Sequence, residues 1–282
     1  MKQQEIKIYS SESPYKQGLT NIFKNMLRNI INSRELIWQI FIRNFKARYK
    51  QSLLGWTWIF LIPIMTMGTF LLLNISGVIR IGEIPVPYPI FGLLGFSLWQ
   101  IFSHGLSVLT TGITSAGILS NQINFPREAL VLSSLGQVIV DFLIRLVLLF
   151  ITYLLYGLFP STWFWLLPLF VLPILLLTLG LGFLSSLLHV FLRDTQNFIN
   201  VAMDFFLFLM PIMYTIPEKG FLVKFNKYNP IFFLIDTPRE IVISGTITYP
   251  FEFFLSTILA VIVFIIGWFI FYVAQSDLAE RI

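Results

Sequence analysis

LVLLFITYLLYGLFPSTWFWLLPLFVLPILLLTLGLGFLSSLLHVFL, residues 146–192, contains no Asp, Glu, Lys or Arg. A helix needs about 20 mostly apolar residues to cross a hydrocarbon core about 30 Å thick, so this run is too long for one crossing. FPSTW at 159–163 breaks it with turn-forming residues, which makes it the end of one span, a tight turn and a second span. Residues 51–79, 84–126 and 253–276 are equally free of charge. The whole chain agrees with them. Its 282 residues are 56% hydrophobic and 12% charged, with mean hydropathy +0.81; soluble domains are about 25% charged. The predicted fold is an all-α integral membrane protein with six transmembrane helices, at about 53–78, 89–118, 136–158, 163–191, 196–216 and 253–275.

Ahead of the spans, residues 1–17 are polar and aperiodic, and read as a mobile arm. Residues 18–50 read as amphipathic interface helices. Leu19, Ile22, Phe23, Met26, Leu27, Ile30 and Ile31 recur at helical spacing, with Lys24 and Arg28 opposite. A second helix starts after Ser33, a capping residue. Its apolar stripe is Ile37, Trp38, Phe41, Ile42, Phe45 and Tyr49, and Arg43, Lys46 and Lys50 lie on its polar side. Basic amphipathic helices beside a span lie in the membrane interface. The six-span domain is assigned to 51–282. Within it, 217–252 mixes charges with apolar runs too short to span, as re-entrant or interfacial helices do.

Basic residues set the orientation. The first 50 residues hold ten Lys/Arg, and no small-residue cleavage site follows a short apolar core, so the start is not read as a secretory signal. With the N-terminus inside, inner segments carry thirteen Lys/Arg and outer loops five. That asymmetry places both termini in the cytoplasm. The net charge of +5 and pI near 9.4 are therefore a topology signal rather than a nucleic-acid footprint.

Catalytic patterns are missing. There is no Cys, no G-x-x-x-x-G-K-[ST], no H-E-x-x-H and no G-x-S-x-G, so disulfides, thiolate metal sites and phosphate-cradling loops are excluded. His104 and His189 fall in different spans and read as packing residues. Intramembrane charges are few. Asp141 and Arg145, four apart on one helical face, can neutralise one another, either as structure or beside a wet cavity. Asp204 has no partner in its own helix and is a functional candidate. So few charges argue against an ion-coupled carrier, and no clustered acids or His-Asp pair support a membrane-embedded glycosyltransferase or acyltransferase. The chain has 30 Phe and 7 Trp. Trp56, Trp58, Trp99, Trp163, Trp165 and Trp268 lie near span ends and read mainly as interfacial belting. Aromatic rings lining a path for sugars are the functional alternative.

Four stretches carry a family resemblance. RNFKARYKQSLLGWTWIFLIPI (43–64), INFPREALVLSS (123–134), LRDTQNFINVAMDFFLFLMPIMYTIP (192–217) and YNPIFFLIDTPREIVISG (228–245) resemble, in order, segments of permeases from polysaccharide-exporting ABC transporters. That family includes O-antigen, capsule and teichoic-acid exporters, and the likeness covers about 34–275. It implies a bacterial inner-membrane homodimer bound to two copies of a nucleotide-binding subunit, where ATP and Mg would sit. The substrate it implies is a lipid-linked polysaccharide, foremost O-antigen on undecaprenyl diphosphate. Teichoic acid, capsule, drugs or small lipids are the alternatives within the fold. It makes Phe125, Pro126, Arg127 and Glu128, in a loop at about 121–130, the coupling segment. Helix 33–50, with Arg43, Lys46, Tyr49 and Lys50, becomes an interface or gate helix. A path shared by two copies would then involve Trp56 and Tyr49 at the inner mouth, and Tyr214, Phe232 and Phe233 at the outer one. Asp141, Arg145 and Asp204 are further candidates for that path. DLAERI at the end departs from the family's aromatic and basic close, and the resemblance assigns no role to the extra helix at 18–32.

Overall fold

The computed structural model describes residues 19–50, 57–77, 82–116, 126–216 and 219–278. Its helices are Leu19–Asn32 (α1), Arg34–Lys50 (α2), Thr57–Ile75 (α3), Tyr88–Thr110 (α4), Glu128–Leu155 (α5), Leu167–Phe191 (α6), Thr195–Leu209 (α7), Phe221–Lys227 (α8), Pro230–Ile243 (α9) and Pro250–Leu278 (α10). No strand occurs among the described residues. Four helical stretches are long and apolar enough to cross a membrane: Tyr88–Thr110, Glu128–Leu155, Thr162–Phe191 and Pro250–Gln275. Phe60–Ile75 in α3 is apolar but shorter. α7 has 15 residues, about 22 Å of helix, and stops at Met210–Pro211 because proline cannot continue the hydrogen-bond ladder.

α4 is the axis of the bundle and packs against α3, α5, α6, α7 and α9. Its Ile90, Leu94, Leu98 and Ile101 are fully buried in the main core, with Val138 of α5 and Ile174 of α6. Lipid tails supply no hydrophobic drive between helices, so such bundles rely on close backbone approach at small residues. The α6–α10 contact shows the closest case: a Cβ on Gly267 would lie 2.3 Å from the carbonyl oxygen of Gly180. On α4, a Cβ on Gly95 would meet the Ile212 carbonyl at 2.5 Å.

α1 closes one end of this bundle. Ile22 and Met26 join a second core with Leu109, Leu130, Phe183 and Phe271, and Met26 is 0% exposed. Burying two such side chains stabilises the contact by about 1.5–3 kcal/mol each. Leu27 and Ile31 point away from it. α1, which the sequence reading left unassigned, thus caps the same end as the start of α5 and the close of α6 and α10. The proposed arm at 1–17 lies outside the described residues.

Three readings need correction. The third span was placed from about 136, with the preceding residues in a loop. α5 starts at Glu128, because Ala129, Leu130, Val131, Ser133 and Ser134 are buried and must satisfy their backbone as helix. Trp99 and Trp268 were grouped with interfacial tryptophans, but both are buried in the two cores; Trp58, Trp163 and Trp165 are the exposed ones. The buried side of α2 is centred on Ile40 and Phe41, while Trp38 faces outward. Gly136 makes that seat: a Cβ there would lie 2.8 Å from the Phe41 ring.

Candidate functional site

Spacing on two helices builds a polar surface inside an apolar bundle. Gln100, Ser103, His104 and Ser107 share one face of α4, being three and four residues apart. Gln196, Asn200 and Asp204 share one face of α7 at strict four-residue intervals. The helices pack together, and these faces meet. Gln196 Nε2 donates to Ser107 Oγ at 2.5 Å, and Ser107 Oγ donates to Asn200 Oδ1 at 2.9 Å. Beside this ladder is a cavity of about 500 Å³ lined by Gln100, Ser103, His104, Asn200 and Asp204, with Ile62 and Thr66 of α3 as its far wall. His104 Nε2 lies 3.5 Å from Asp141 Oδ2, which extends the polar surface into α5. Asp141 is buried and Arg145 half-buried one turn further along.

Beyond this cavity, the broken end of α7 is held by side chains. The last carbonyls of a helix have no partners within it. Tyr214 Oη donates to the Phe208 carbonyl at 2.8 Å, and Asn226 Nδ2 to that of Leu209 at 3.0 Å. Arg239 Nη1 donates to the carbonyls of Pro211 at 3.0 Å and Ile212 at 3.2 Å. Its other terminal nitrogen pairs with Asp236, and the guanidinium lies 4.4 Å from the centre of the Phe91 ring. One arginine thereby joins α9, α4 and the segment after α7. Tyr214 is therefore spoken for as a carbonyl donor. Outside the spans, burial raises the Glu240 carboxyl above its usual range, against the opposing pull of hydrogen bonds from Thr248. Those bonds, from the Thr248 N–H at 2.8 Å and hydroxyl at 2.6 Å, fix the turn between α9 and α10.

Phe232 and Phe233 are buried, in edge contact with one another and with Tyr249. They wall a cleft of about 750 Å³ between α8, α9 and α10. The predicted path residues therefore divide between two places: Asp204 beside the polar cavity with His104 linking it to Asp141, and Phe232 and Phe233 at the far-end cleft. Trp56 lies outside the described residues.

Of the coupling segment, Phe125 also lies outside the described residues. Pro126 and Arg127 are half-buried. Glu128 is 1% exposed and turned into the bundle, where its Oε1 accepts from Trp268 Nε1 at 2.9 Å. Its place is to fix the start of α5 against α10. In α2, Arg43 and Lys46 are exposed, and Arg43 donates to Asn44 Oδ1 through Nε at 3.2 Å and Nη2 at 3.0 Å. The side chains of Tyr49 and Lys50 are outside the described set. No group of three or more His, Asp or Glu able to hold a metal occurs among the described residues.

The arrangement has a polar wall along α4, one of the helices long and apolar enough to cross a membrane, and a neighbouring helix interrupted at proline. Residues 35–243 match the family described as ABC-2 type transporter. The chain belongs to the ABC-2 transporter membrane family. This permease is 29% identical over 216 residues to the O-antigen export system permease protein RfbA of Klebsiella pneumoniae, covering 74% of this chain and 80% of that one. It is 27% identical over 219 residues to the protein of the same name from Myxococcus xanthus, covering 77% and 83%. To the polysialic acid transport protein KpsM of Escherichia coli it is 23% identical over 215 residues, covering 74% and 81%. The permease's matched region begins at α2 and ends with α9. It includes the ladder, the broken end of α7 and Arg239.

The sequence reading took His104 for a packing residue and found no His-Asp pair, which the contact of His104 with Asp141 corrects; Gln196, Ser107 and Asn200 it missed. The signal was available in the four-residue repeat Gln196–Asn200–Asp204.

Proposed function

We propose that this permease forms the membrane pathway of an exporter that moves a lipid-linked polysaccharide, foremost O-antigen on undecaprenyl diphosphate, out of the cytoplasm. ATP hydrolysis on a separate subunit drives the movement. One observation carries this reading: in a family whose relatives are named for O-antigen and polysialic acid, Asn200 and Asp204 of α7 turn a polar face to the cavity against α4, with Gln196 bonded to Ser107 beside them. A polar face in hydrocarbon is costly, and is retained where it meets water or a polar substrate. Hydroxyls of a sugar chain can exchange hydrogen bonds with amide and hydroxyl groups of the ladder's kind, each worth about 0.5–1.5 kcal/mol net. Bonds that weak hold a polymer without trapping it.

In this reading α3, α4, α5, α6, α7 and α10 are the six spans, and α8 and α9 are the re-entrant pair. α7 completes its crossing through the bent, non-helical residues after Met210. The excess of basic residues puts both termini, α1 and α2 on the cytoplasmic side of the inner membrane. Two copies related by a two-fold axis enclose the path, and the exposed Phe198, Val201, Phe205 and Phe208 of α7 supply apolar surface beside it. Two nucleotide-binding subunits dock at the segment 125–127, whose movement reaches α10 through Glu128 and Trp268.

The test uses single cysteines in a chain that has none. With Asn200→Cys in the assembled transporter, a bulky thiol reagent should stop polymer export while ATP hydrolysis continues. The same treatment of Phe150→Cys, on the outward face of α5, should leave export intact. Full export with the labelled Asn200→Cys protein would rule out this face as the pathway.

A further inference from the structure

The cleft between α8, α9 and α10 has an unusual pairing of walls. Its upper rim carries one charge of each sign: Lys227, the last residue of α8, and Glu252, in the first turn of α10. Neither forms an ion pair among the described residues. Tyr228, 82% exposed, and Tyr249 stand beside them. Below the rim the lining becomes apolar through Phe232, Phe233, Leu255 and Leu259. From Pro250, where α10 starts, to Leu259 is nine residues of helix, about 14 Å. Half of a hydrocarbon core is about 15 Å. The cleft therefore has the depth of one leaflet, a dipolar rim at the interface, and a volume of about 750 Å³, within the range of about 300–1,000 Å³ of small-molecule sites.

We propose that this cleft binds one zwitterionic phospholipid of the phosphatidylethanolamine type, with its phosphate at Lys227, its ammonium at Glu252 and an acyl chain along Leu255 and Leu259. Charge selects the head group. An anionic glycerol phospholipid would satisfy Lys227 but leave Glu252 beside its phosphate. A choline head group has no N–H to donate to the carboxylate and forgoes the charge-assisted hydrogen bond. The tyrosine pair fits the same depth, because amphipathic rings settle at the head-group level. A bare sugar chain finds little here, since beneath the rim the wall is hydrocarbon and ring apart from the single hydroxyl of the buried Ser256. The bound lipid would brace α8 and α9 against α10, and this holds whichever polymer the permease carries.

The experiment counts lipid on the purified full-length chain by native mass spectrometry. Micelles contain equal amounts of phosphatidylethanolamine, phosphatidylglycerol and phosphatidylcholine with identical acyl chains. The expected result is retention of phosphatidylethanolamine about tenfold above either other lipid, the worth of one charge-assisted bond. Glu252→Gln should bring phosphatidylglycerol level with phosphatidylethanolamine, and Lys227→Gln should lose both. Leu259→Trp keeps the rim charges but fills the chain slot, and should lower retention of every lipid. Lys227 is exposed and Glu252 only half-buried, so their variants test binding rather than folding. Equal retention of the three lipids by the unaltered chain would overturn the proposal. So would a phosphatidylethanolamine preference that survives Glu252→Gln. Rapid disulfide formation between two chains through Leu255→Cys in native membranes would also overturn it, by placing a second copy in the cleft.

Discussion

α4 and α7 lie side by side, and the bundle treats them in opposite ways. α4 buries residues all round its circumference, whereas Ile199 is the one buried residue of α7. Both carry polar side chains at helical spacing. On α4 these sit on one face of a helix packed against five others, so the helix would keep its place without them. α7 has no such support: Phe198 is 75% exposed, and Asn200 and Asp204 are exposed as well. The difference teaches that α4 is held by packing along its length. α7 is held by its polar ladder and by the clamp at its broken end, which leaves most of its surface for a partner or a substrate.

The largest effect should come from removing the clamp. Arg239→Ala leaves the Pro211 and Ile212 carbonyls without their donor and the Asp236 carboxylate buried without its cation. Breaking a buried pair in this way costs about 3–5 kcal/mol. Thermal unfolding in detergent should report it, and Arg239→Lys should recover only part, since a lysine cannot fork between two carbonyls and a carboxylate. A loss below about 1 kcal/mol would mean that α7 is held elsewhere.

A smaller effect is expected on the α4 side of the same junction. Gly95→Ala places a methyl 2.5 Å from the Ile212 carbonyl oxygen. Overpacking of this kind costs about 1–3 kcal/mol, against a gain of about 1 kcal/mol in helix propensity. Net destabilisation is expected. A stabilised variant would show that the segment after α7 gives way to α4.

The smallest stability change should accompany the largest functional one. Asp204 is exposed on the cavity wall, so Asp204→Leu should shift unfolding by no more than about 0.5 kcal/mol, while polymer export in the assembled transporter falls. An unfolding shift of about 2 kcal/mol or more would make Asp204 part of the scaffold and erase the contrast between the two helices.

The membrane class was legible because its cause is local: uncharged runs of sufficient length can only be buried in lipid or in each other. Tyr88–Thr110, Thr162–Phe191 and nearly all of Pro250–Gln275 follow from those runs, whereas Glu128–Leu155 carries Glu128, Asp141 and Arg145 and falls in such a run only at its end. Element ends were less legible where burial overrides polarity. Glu128 looks like a loop residue until Trp268, 140 positions away, supplies its hydrogen bond. Trp99 and Trp268 look interfacial because a sequence gives depth along a span but not direction around it. At the candidate site, the α7 face was written in the spacing of Gln196, Asn200 and Asp204. Its pairing with Ser107, and that of His104 with Asp141, depends on which helices become neighbours, and no local pattern states that. The grip of Arg239 on the Pro211 and Ile212 carbonyls, 28 and 27 positions away, is hidden from the sequence for the same reason.

The backbone contact between Gly180 and Gly267 limits how the molecule can move. Two helices separated by side chains can ratchet by a turn as one set of knobs leaves its holes for the next. Helices touching carbonyl to Cα have no such steps, because on either side of the contact the next residue brings a Cβ into the other backbone. α6 and α10 must therefore travel as one body, with the second core and α1 attached to it. Any change of shape that widens the space beside α7 has its pivot where the ladder of main-chain hydrogen bonds is already interrupted, at Met210–Pro211. The arginine on those carbonyls then works as a hinge pin.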